Sequence, residues 1–231
     1  MSLPPLLGDV ALPYFCDPAE LPDTLPTFDE IEQAIQNLKP SAVLPAKRIV
    51  VVKSHFVVKY GKRIQKNEGH ALLFLKRYKF IPAPKLYAMY HKDDKLYLIM
   101  SYMPGTPLGS VWNSLLESEK SDILMQLRST FNQMRLILAP NIFSSVCGGP
   151  LPYHWFWWIK PEPAITGPFQ TEEDLGQALA LRSLRNHEFH GNENRSRLPE
   201  FFARHLPNVL RGHTFPLLAT ELRGGFGLAL L

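Results

Sequence analysis

Lys59 and Glu68 are the two side chains in this sequence best placed to do chemistry together. Lys59 ends the apolar run Val57-Val58-Lys59, which predicts a strand, and Glu68 stands at the start of the next predicted helix, about Asn67 to Tyr78. A lysine ammonium that is oriented by a carboxylate in this way can grip nucleotide phosphates. Taken singly, the two residues are better explained as an edge-strand lysine and a first-turn carboxylate favoured by the helix dipole.

The elements around this pair predict a small β-sheet crossed by one helix. Two β-branched runs, Arg48 to Val52 and His55 to Lys59, are joined by a tight turn at Lys53-Ser54. After the helix, the prolines of residues 81–84 exclude the α conformation, and two more strands follow at Lys85 to Tyr90 and Leu96 to Met100. This order of elements is typical of a kinase N-lobe and its hinge.

The chain on either side of the sheet has a different character. Six prolines within residues 1–26 predict an extended N-terminal arm, and Thr27 with Glu30 forms a capping box that opens a short helix ended by Pro40. From Pro104 the apolar period becomes helical. One long helix begins near Leu116 with the apolar face Ile123, Leu127, Phe131, Met134 and Leu138. Further helices are predicted after Thr171, with Asp174 in the first turn, and from Leu198 to Leu210.

An aromatic insert lies between Cys147 and Trp158. Its large rings either form a cage for a cationic amine or pack in a core, and core packing is the favoured interpretation because large aromatics dominate cores. The residues concerned are Tyr153, Trp155, Phe156, Trp157 and Trp158.

Composition limits the partners. The chain has 231 residues, a formal net charge of +4, and 25 Lys and Arg dispersed among 21 acidic residues, so we expect no nucleic-acid partner. The basic stretch from Lys47 to Lys66 is interpreted as a solvated hairpin surface in preference to a polyanion patch, and it would also suit a nucleotide phosphate. Cys16 and Cys147 have no CxxC spacing and predict reduced thiols rather than a zinc site. No leader or bilayer-spanning run is recognisable, so we expect a cytoplasmic protein with no membrane partner.

Several short stretches, spread in order over residues 25–213, all resemble segments of one protein family. They are residues 55–61 (HFVVKYG), 81–90 (IPAPKLYAMY), 99–105 (IMSYMPG), 111–112, 148–151, 167–169, 206–207 and 210–213. Together they resemble the fungal branch of the aminoglycoside phosphotransferase and choline kinase-like family, within the protein kinase-like superfamily. The resemblance implies an α+β, protein kinase-like fold: an arm at 1–26, a small β-sheet N-lobe and hinge at 27–103, an incomplete helical C-lobe at 104–213, and a divergent tail at 214–231.

The same resemblance assigns a nucleotide site. It implies that Lys59 contacts the α and β phosphates of ATP, that Glu68 pairs with Lys59, and that the backbone of Ser101, Tyr102 and Met103 hydrogen-bonds adenine. Two departures from the family pattern are visible. Ser101 stands where Glu is common, and the turn at 53–54 replaces a glycine-rich phosphate loop.

Phosphoryl transfer in such a family needs an Asp as base and an Asn and a second Asp as metal ligands. These residues belong to a His-Gly-Asp loop and the segment after it. Beyond Thr214 the chain reads FPLLATELRGGFGLALL, with neither Asp nor Asn. His190-Gly191-Asn192, with Asn194 behind it, lies too early and is read as a polar connector. Glu172 and Asp174 are read as helix-start acids. We therefore expect no catalytic residue and no bound Mg²⁺ in this chain.

Three functional classes stay open at this point. The first is an ATP-dependent kinase of a small-molecule hydroxyl, inactive as this sequence because the chain is cut short or shifted in frame near residue 214. The second is a pseudokinase that binds nucleotide or a partner protein, and the third is a non-functional truncated product. In each case the helical region is expected to expose apolar faces and to be marginally stable or prone to aggregation. The acceptor substrate is not identified by the sequence.

Overall fold

The computed structural model describes residues 6–37, 48–137, 142–156, 158, 162–190 and 197–209. Over these residues the chain is α+β, with a five-stranded antiparallel sheet and several helices. The strands are β1 (Tyr14–Phe15), β2 (Arg48–Val52), β3 (Phe56–Gly61), β4 (Leu86–Lys92) and β5 (Lys95–Ser101). The helices are α1 (Phe28–Gln36), α2 (Lys66–Leu75), α3 (Leu108–Val111), α4 (Glu117–Arg135), α5 (Pro163–Thr166), α6 (Glu172–His190) and α7 (Leu198–Val209).

The sheet has the order β1-β4-β5-β3-β2, and its four longer strands lie within a few residues of the predicted runs. Lys53 and Ser54 connect β2 to β3 with positive φ angles of 52° and 58°. Asp93 and Asp94 connect β4 to β5 in the same way, with φ angles of 47° and 58°. Left-handed residues in such turns match the right-handed twist of the strands that they join.

The N-terminal arm supplies the fifth strand. Tyr14 pairs with Met89 and Phe15 with Ala88, so β1 covers the outer edge of β4. The Cys16 N–H extends this contact by donating to the carbonyl of Tyr87 at 2.8 Å. The sequence predicted an extended arm but not this strand, because two residues are too few to show an alternating pattern.

One face of the sheet forms an aromatic core beneath α1. Phe56, Val58 and Tyr60 of β3 are buried there together with Tyr97 and Ile31. The rings of Tyr60, Tyr97 and Tyr90 are stacked across three neighbouring strands, with centroid separations of 5.5 and 5.4 Å. The predicted capping box that begins α1 is present, since Thr27 and Glu30 exchange hydrogen bonds of 2.8 and 3.3 Å.

The described chain divides into two compact units. Residues 9–133, which we call the sheet unit, contain the sheet, α1 to α3 and most of α4. Residues 6–8 with 134–209, which we call the helical unit, contain the remaining helices. The predicted face of α4 is the less exposed one: Ile123, Leu127 and Phe131 are half-buried and Met134 is buried, while Leu138 lies outside the described residues. None of the described helices has the length and apolar character needed to cross a bilayer.

The start of α6 was also predicted correctly. The Thr171 N–H donates to the Asp174 carboxylate, and the Asp174 N–H donates to the Thr171 hydroxyl, both at 3.0 Å. This reciprocal capping satisfies two backbone donors that the helix leaves without an intrahelical acceptor. Asp174 is therefore a helix-start acid in the structure. The final helix α7 begins at Leu198 as predicted, and its predicted last residue, Leu210, lies outside the described range.

Candidate functional site

The structure brings Lys59 and Glu68 together as a buried ion pair. The Lys59 ammonium donates to the Glu68 carboxylate, and the two residues are only 2% and 8% exposed. Val58 and Tyr60 point into the aromatic core, so Lys59 between them must point to the opposite face of the sheet. Glu68 lies in the first turn of α2, where the helix dipole favours a negative charge.

A glycine beside Glu68 lets α2 approach the sheet closely. A Cβ atom added at Gly69 would lie 2.6 Å from the Met89 sulfur and 3.2 Å from a Leu98 methyl carbon. Both of these side chains are fully buried, so an added methyl group would have to displace core atoms. The sequence prediction missed this contact, although a glycine inside a predicted helix often marks close packing.

The face that carries Lys59 also presents apolar side chains to solvent. Ile49 lies opposite Lys59 in the β2–β3 ladder, and Val51 lies opposite Val57. Residues directly opposite each other in an antiparallel pair project to the same face. Ile49 is 50% and Val51 48% exposed. A cationic group and an uncovered apolar surface therefore share one side of the sheet, a combination that suits a ligand with a flat ring and an anionic group.

The predicted hinge follows β5, and most of its backbone donors are already engaged. The Ser101 N–H donates to the Lys85 carbonyl at 2.9 Å, and the Tyr102 N–H donates to the His55 carbonyl at 2.8 Å. Within the described residues, the Met103 N–H has no hydrogen-bond partner. Of the three predicted adenine-binding residues, Met103 is thus the one whose N–H is available to a ligand.

Ser101, at the position where Glu was expected, ties the end of β5 to the chain before β4. Its hydroxyl accepts a hydrogen bond from the Lys85 N–H at 3.0 Å. Together with the Ser101 N–H bond to the Lys85 carbonyl, this closes a two-bond contact between the residues. Ser101 therefore orients the hinge backbone, and its side chain is not directed to a ligand.

The β2–β3 turn at Lys53-Ser54, which stands in place of a glycine-rich loop, contacts the N-terminal arm and α1. The Lys53 ammonium donates to the Thr24 hydroxyl at 2.9 Å and forms an ion pair with Glu30 at 3.3 Å. A hydrogen bond from the Thr27 N–H is the main cause that lowers the pKa of Glu30, and Lys53 lowers it further. Lys53 stabilises the arm in this arrangement and does not extend over the face that carries Lys59.

The described part of the chain contains no cluster of three His, Cys, Asp or Glu side chains able to hold a metal ion. The sequence His190-Gly191-Asn192 with Asn194 extends into residues 191–196, which lie outside the described range, so its interpretation as a connector stays a prediction. Within the described residues, Cys16 and Cys147 form no disulfide.

The rings of the aromatic insert lie in different surroundings. Phe156 is buried with Phe143 and Phe169, whereas Trp155 is 42% exposed and lies 5.8 Å from the Arg182 guanidinium. Trp158 contacts Phe189 edge to face at 6.2 Å. Trp157 lies outside the described residues. Among the described rings, packing rather than a common cage is the observed arrangement.

A scan of the sequence against models of protein families, a search of curated proteins and a search of solved structures each found no significant match. The kinase-like relationship indicated by the sequence motifs therefore stays a prediction.

Proposed function

We propose that the unit formed by residues 9–133 contains a kinase-like N-lobe and hinge, and that it binds an adenine nucleotide, with ATP as the principal ligand. In this proposal the Lys59 ammonium binds the phosphates. Ile49 and Val51 cover one side of the base, and the Met103 N–H donates to its edge. The fold proposal is supported by the succession of a lysine-bearing strand, a glutamate-bearing helix, two strands and a hinge.

The buried Lys59–Glu68 pair is the observation that carries the proposal. Removing a lysine and a glutamate from water costs several kcal/mol per ion, and an apolar pair of similar volume is often as stable or more stable. A contribution to stability therefore does not by itself explain why this ion pair is present. An ammonium held beside an exposed apolar surface does have a use if it contacts phosphates, because charge-assisted hydrogen bonds are among the strongest that a protein makes.

The proposal is limited to binding. The 231 residues contain no His-Gly-Asp sequence, and Glu172 and Asp174, considered as metal ligands, lie in the first turn of α6. Without a base and metal ligands, the charge that develops during phosphoryl transfer is not neutralised. We therefore propose a pseudokinase-like nucleotide-binding chain of aminoglycoside phosphotransferase ancestry.

Calorimetric titration of the full chain with ATP, in the presence and absence of Mg²⁺, tests the proposal. Lys59→Met alone is a poor probe because it leaves a buried carboxylate without its cation. The double variant Lys59→Met/Glu68→Leu removes both charges, and we expect it to fold and to bind ATP at least about tenfold more weakly than the wild type.

Lys62→Met is the matched control, because the Lys62 side chain is 70% exposed just beyond β3 and pairs only loosely with Asp94, at 3.6 Å. We expect it to bind ATP like the wild type. A folded wild-type chain with no saturable ATP binding, or equal binding by the double variant, would show the proposal to be wrong.

A further inference from the structure

An open groove with an acidic rim runs along α6 in the helical unit. A cavity of about 590 Å³ lies between α6 and α7. A second cavity, of about 460 Å³, lies between α6 and the segment 164–170, and both are lined by Gln177 and Leu181. The two cavities are therefore neighbours along α6, and together we call them the α6 groove.

The floor of the α6 groove is made of small and apolar residues. Gly176 and Ala180 lie one turn apart on α6, and Ala203 faces them from α7. Small side chains allow the backbone of another element to approach closely, and the distance between packed helices depends on the side chains at the contact. Leu181 and Leu184 provide apolar walls. Helices pack well on a surface of this kind.

The rim of the α6 groove is negatively charged. Glu173, Asp174 and Glu200 line it, and none of the described lining residues is Lys, Arg or His. Within the described residues, none of these three carboxylates forms an ion pair. Glu173 accepts a hydrogen bond from the Gln177 amide at 3.3 Å and Asp174 caps α6 through Thr171, but no cationic side chain of the described residues neutralises their charge.

The arginines of the same helix are engaged elsewhere. Arg185 pairs with Glu162 at 3.5 Å and with Glu188 at 3.0 Å, and these two carboxylates raise its pKa. The Arg182 guanidinium lies over the Trp155 ring. Neither arginine lines the groove. The cationic side of α6 is therefore occupied by contacts within the same unit, and its acidic side faces the groove.

One apolar wall of the groove is open to solvent. Leu184, which lines the groove, is 43% exposed. An exposed apolar surface bordered by polar residues is typical of an interaction site. The charge on the rim identifies the kind of partner, because complementary charge steers association and excludes partners of like charge.

We propose that the α6 groove binds an amphipathic helix of a partner protein, one with an apolar face and with Lys or Arg along its flanks. The floor from Gly176 to Leu184 is about 12 Å long at 1.5 Å per residue, which matches two turns of a docked helix and its anchors at i, i+3 or i+4, and i+7. The proposal is independent of the nucleotide site, because every residue that carries it belongs to the unit 134–209.

Fluorescence anisotropy with labelled synthetic helices tests this inference on the full chain. The probe is a peptide of roughly 18 residues, about five turns, that places Leu on one face and Lys on the other. A peptide with Glu in place of Lys and a scrambled Leu and Lys peptide are the comparisons. We expect saturable binding of the amphipathic Leu and Lys peptide only, weakening as salt screens the rim.

Two groove variants and one control sharpen the test. Glu173→Gln/Glu200→Gln neutralises exposed rim residues, and Ala203→Trp fills the floor at an exposed position. We expect each to weaken binding at least about tenfold. The control Asp29→Asn/Glu117→Gln changes the net charge equally at two exposed first-turn acids outside the groove, and it should bind like the wild type.

Four results would overturn the proposal: equal binding of the Glu or the scrambled peptide, equal loss in the control variant, tighter binding to neutral lipid vesicles than to the peptide, or no binding at all. A dimer seen by light scattering that Ala203→Trp dissociates would show that a second copy of this chain occupies the groove.

Discussion

At the level of single residues, Lys59 and Glu68 depend on each other. Both are buried, and the carboxylate of one is the acceptor for the ammonium of the other. A buried charge that loses its partner retains the full cost of leaving water, whereas removal of both charges removes that cost. Replacement of one member of the pair should therefore destabilise the chain more than replacement of both.

Lys59→Met should lower the free energy of unfolding by about 3–5 kcal/mol, because Glu68 is left as an unpaired buried carboxylate. Lys59→Met/Glu68→Leu should recover most of this loss. Urea denaturation of the wild type and the two variants measures both values. If the single variant is as stable as the wild type, the pair is not buried in the way described.

His70 is the titratable residue of α2 that responds most directly to burial. It is 3% exposed, and desolvation lowers its pKa, with a smaller contribution from Lys66 and an opposing one from Asp9. The unfolded imidazole binds a proton near pH 6.5, and the folded one does so only at lower pH. The unfolded state therefore holds more protons below pH 6.5, and stability must fall as the pH falls through this region.

We expect the melting temperature of the wild type to drop between about pH 7.5 and pH 5.5, above the usual range of carboxylates. In His70→Gln this drop should be smaller, whatever the absolute stability of the variant. Thermal scans across the interval measure the slope for each protein. Parallel slopes would mean that His70 does not titrate differently in the folded state.

At the level of elements, the distance between α2 and the sheet decides whether Glu68 reaches Lys59. Gly69 faces the side chains of Met89 on β4 and Leu98 on β5, so the helix backbone packs directly on these two side chains. An added methyl group at this position has to displace fully buried side chains, and overpacking of this kind typically costs about 1–3 kcal/mol. That exceeds the gain in helix propensity from alanine, about 1 kcal/mol.

Gly69→Ala should therefore destabilise the chain and weaken ATP binding, even though alanine favours helices. Gly109→Ala in α3 is the matched control, since no atom lies within 4 Å of the position where its Cβ would be. We expect it to be neutral or slightly stabilising. Denaturation curves of both variants distinguish the cases, and a stabilised Gly69→Ala would contradict the close contact.

At the level of the whole molecule, apolar exposure is marked in the helical unit. Phe189 is 63%, Phe201 54% and Val209 68% exposed on α6 and α7. Exposed apolar faces on the later helices were expected from the sequence. Large uncovered patches favour self-association, so the chain should aggregate on heating before the sheet unit is lost.

The variant Phe189→Gln/Phe201→Gln should raise the temperature at which light scattering begins, because it removes two strongly exposed phenyl rings of the helical unit. Phe15→Gln is the control, since Phe15 is also exposed, at 55%, but lies on β1 of the other unit. Scattering that begins at the same temperature in wild type and double variant would place the aggregation surface elsewhere.

The sequence by itself determined the features that depend on neighbouring residues. The four longer strands, the capping box at Thr27, the helix start at Thr171 and the less exposed face of α4 all follow from short-range patterns, and all were predicted. Lys59 and Glu68 were identified for the same reason, since a strand lysine followed by a helix-start glutamate is a local signal. Their use in nucleotide binding stays a proposal.

Only the tertiary structure decided how distant segments meet. β1 forms because Tyr14 and Phe15 pair with β4, and the N–H groups of Ser101 and Tyr102, in the predicted hinge, donate to the carbonyls of Lys85 and His55. The burial of Lys59 and the acidic groove of α6 likewise arise from contacts between elements. Backbone pairing and desolvation depend on distances in space, and these are set by the packing of the whole unit rather than by the spacing of residues along the chain.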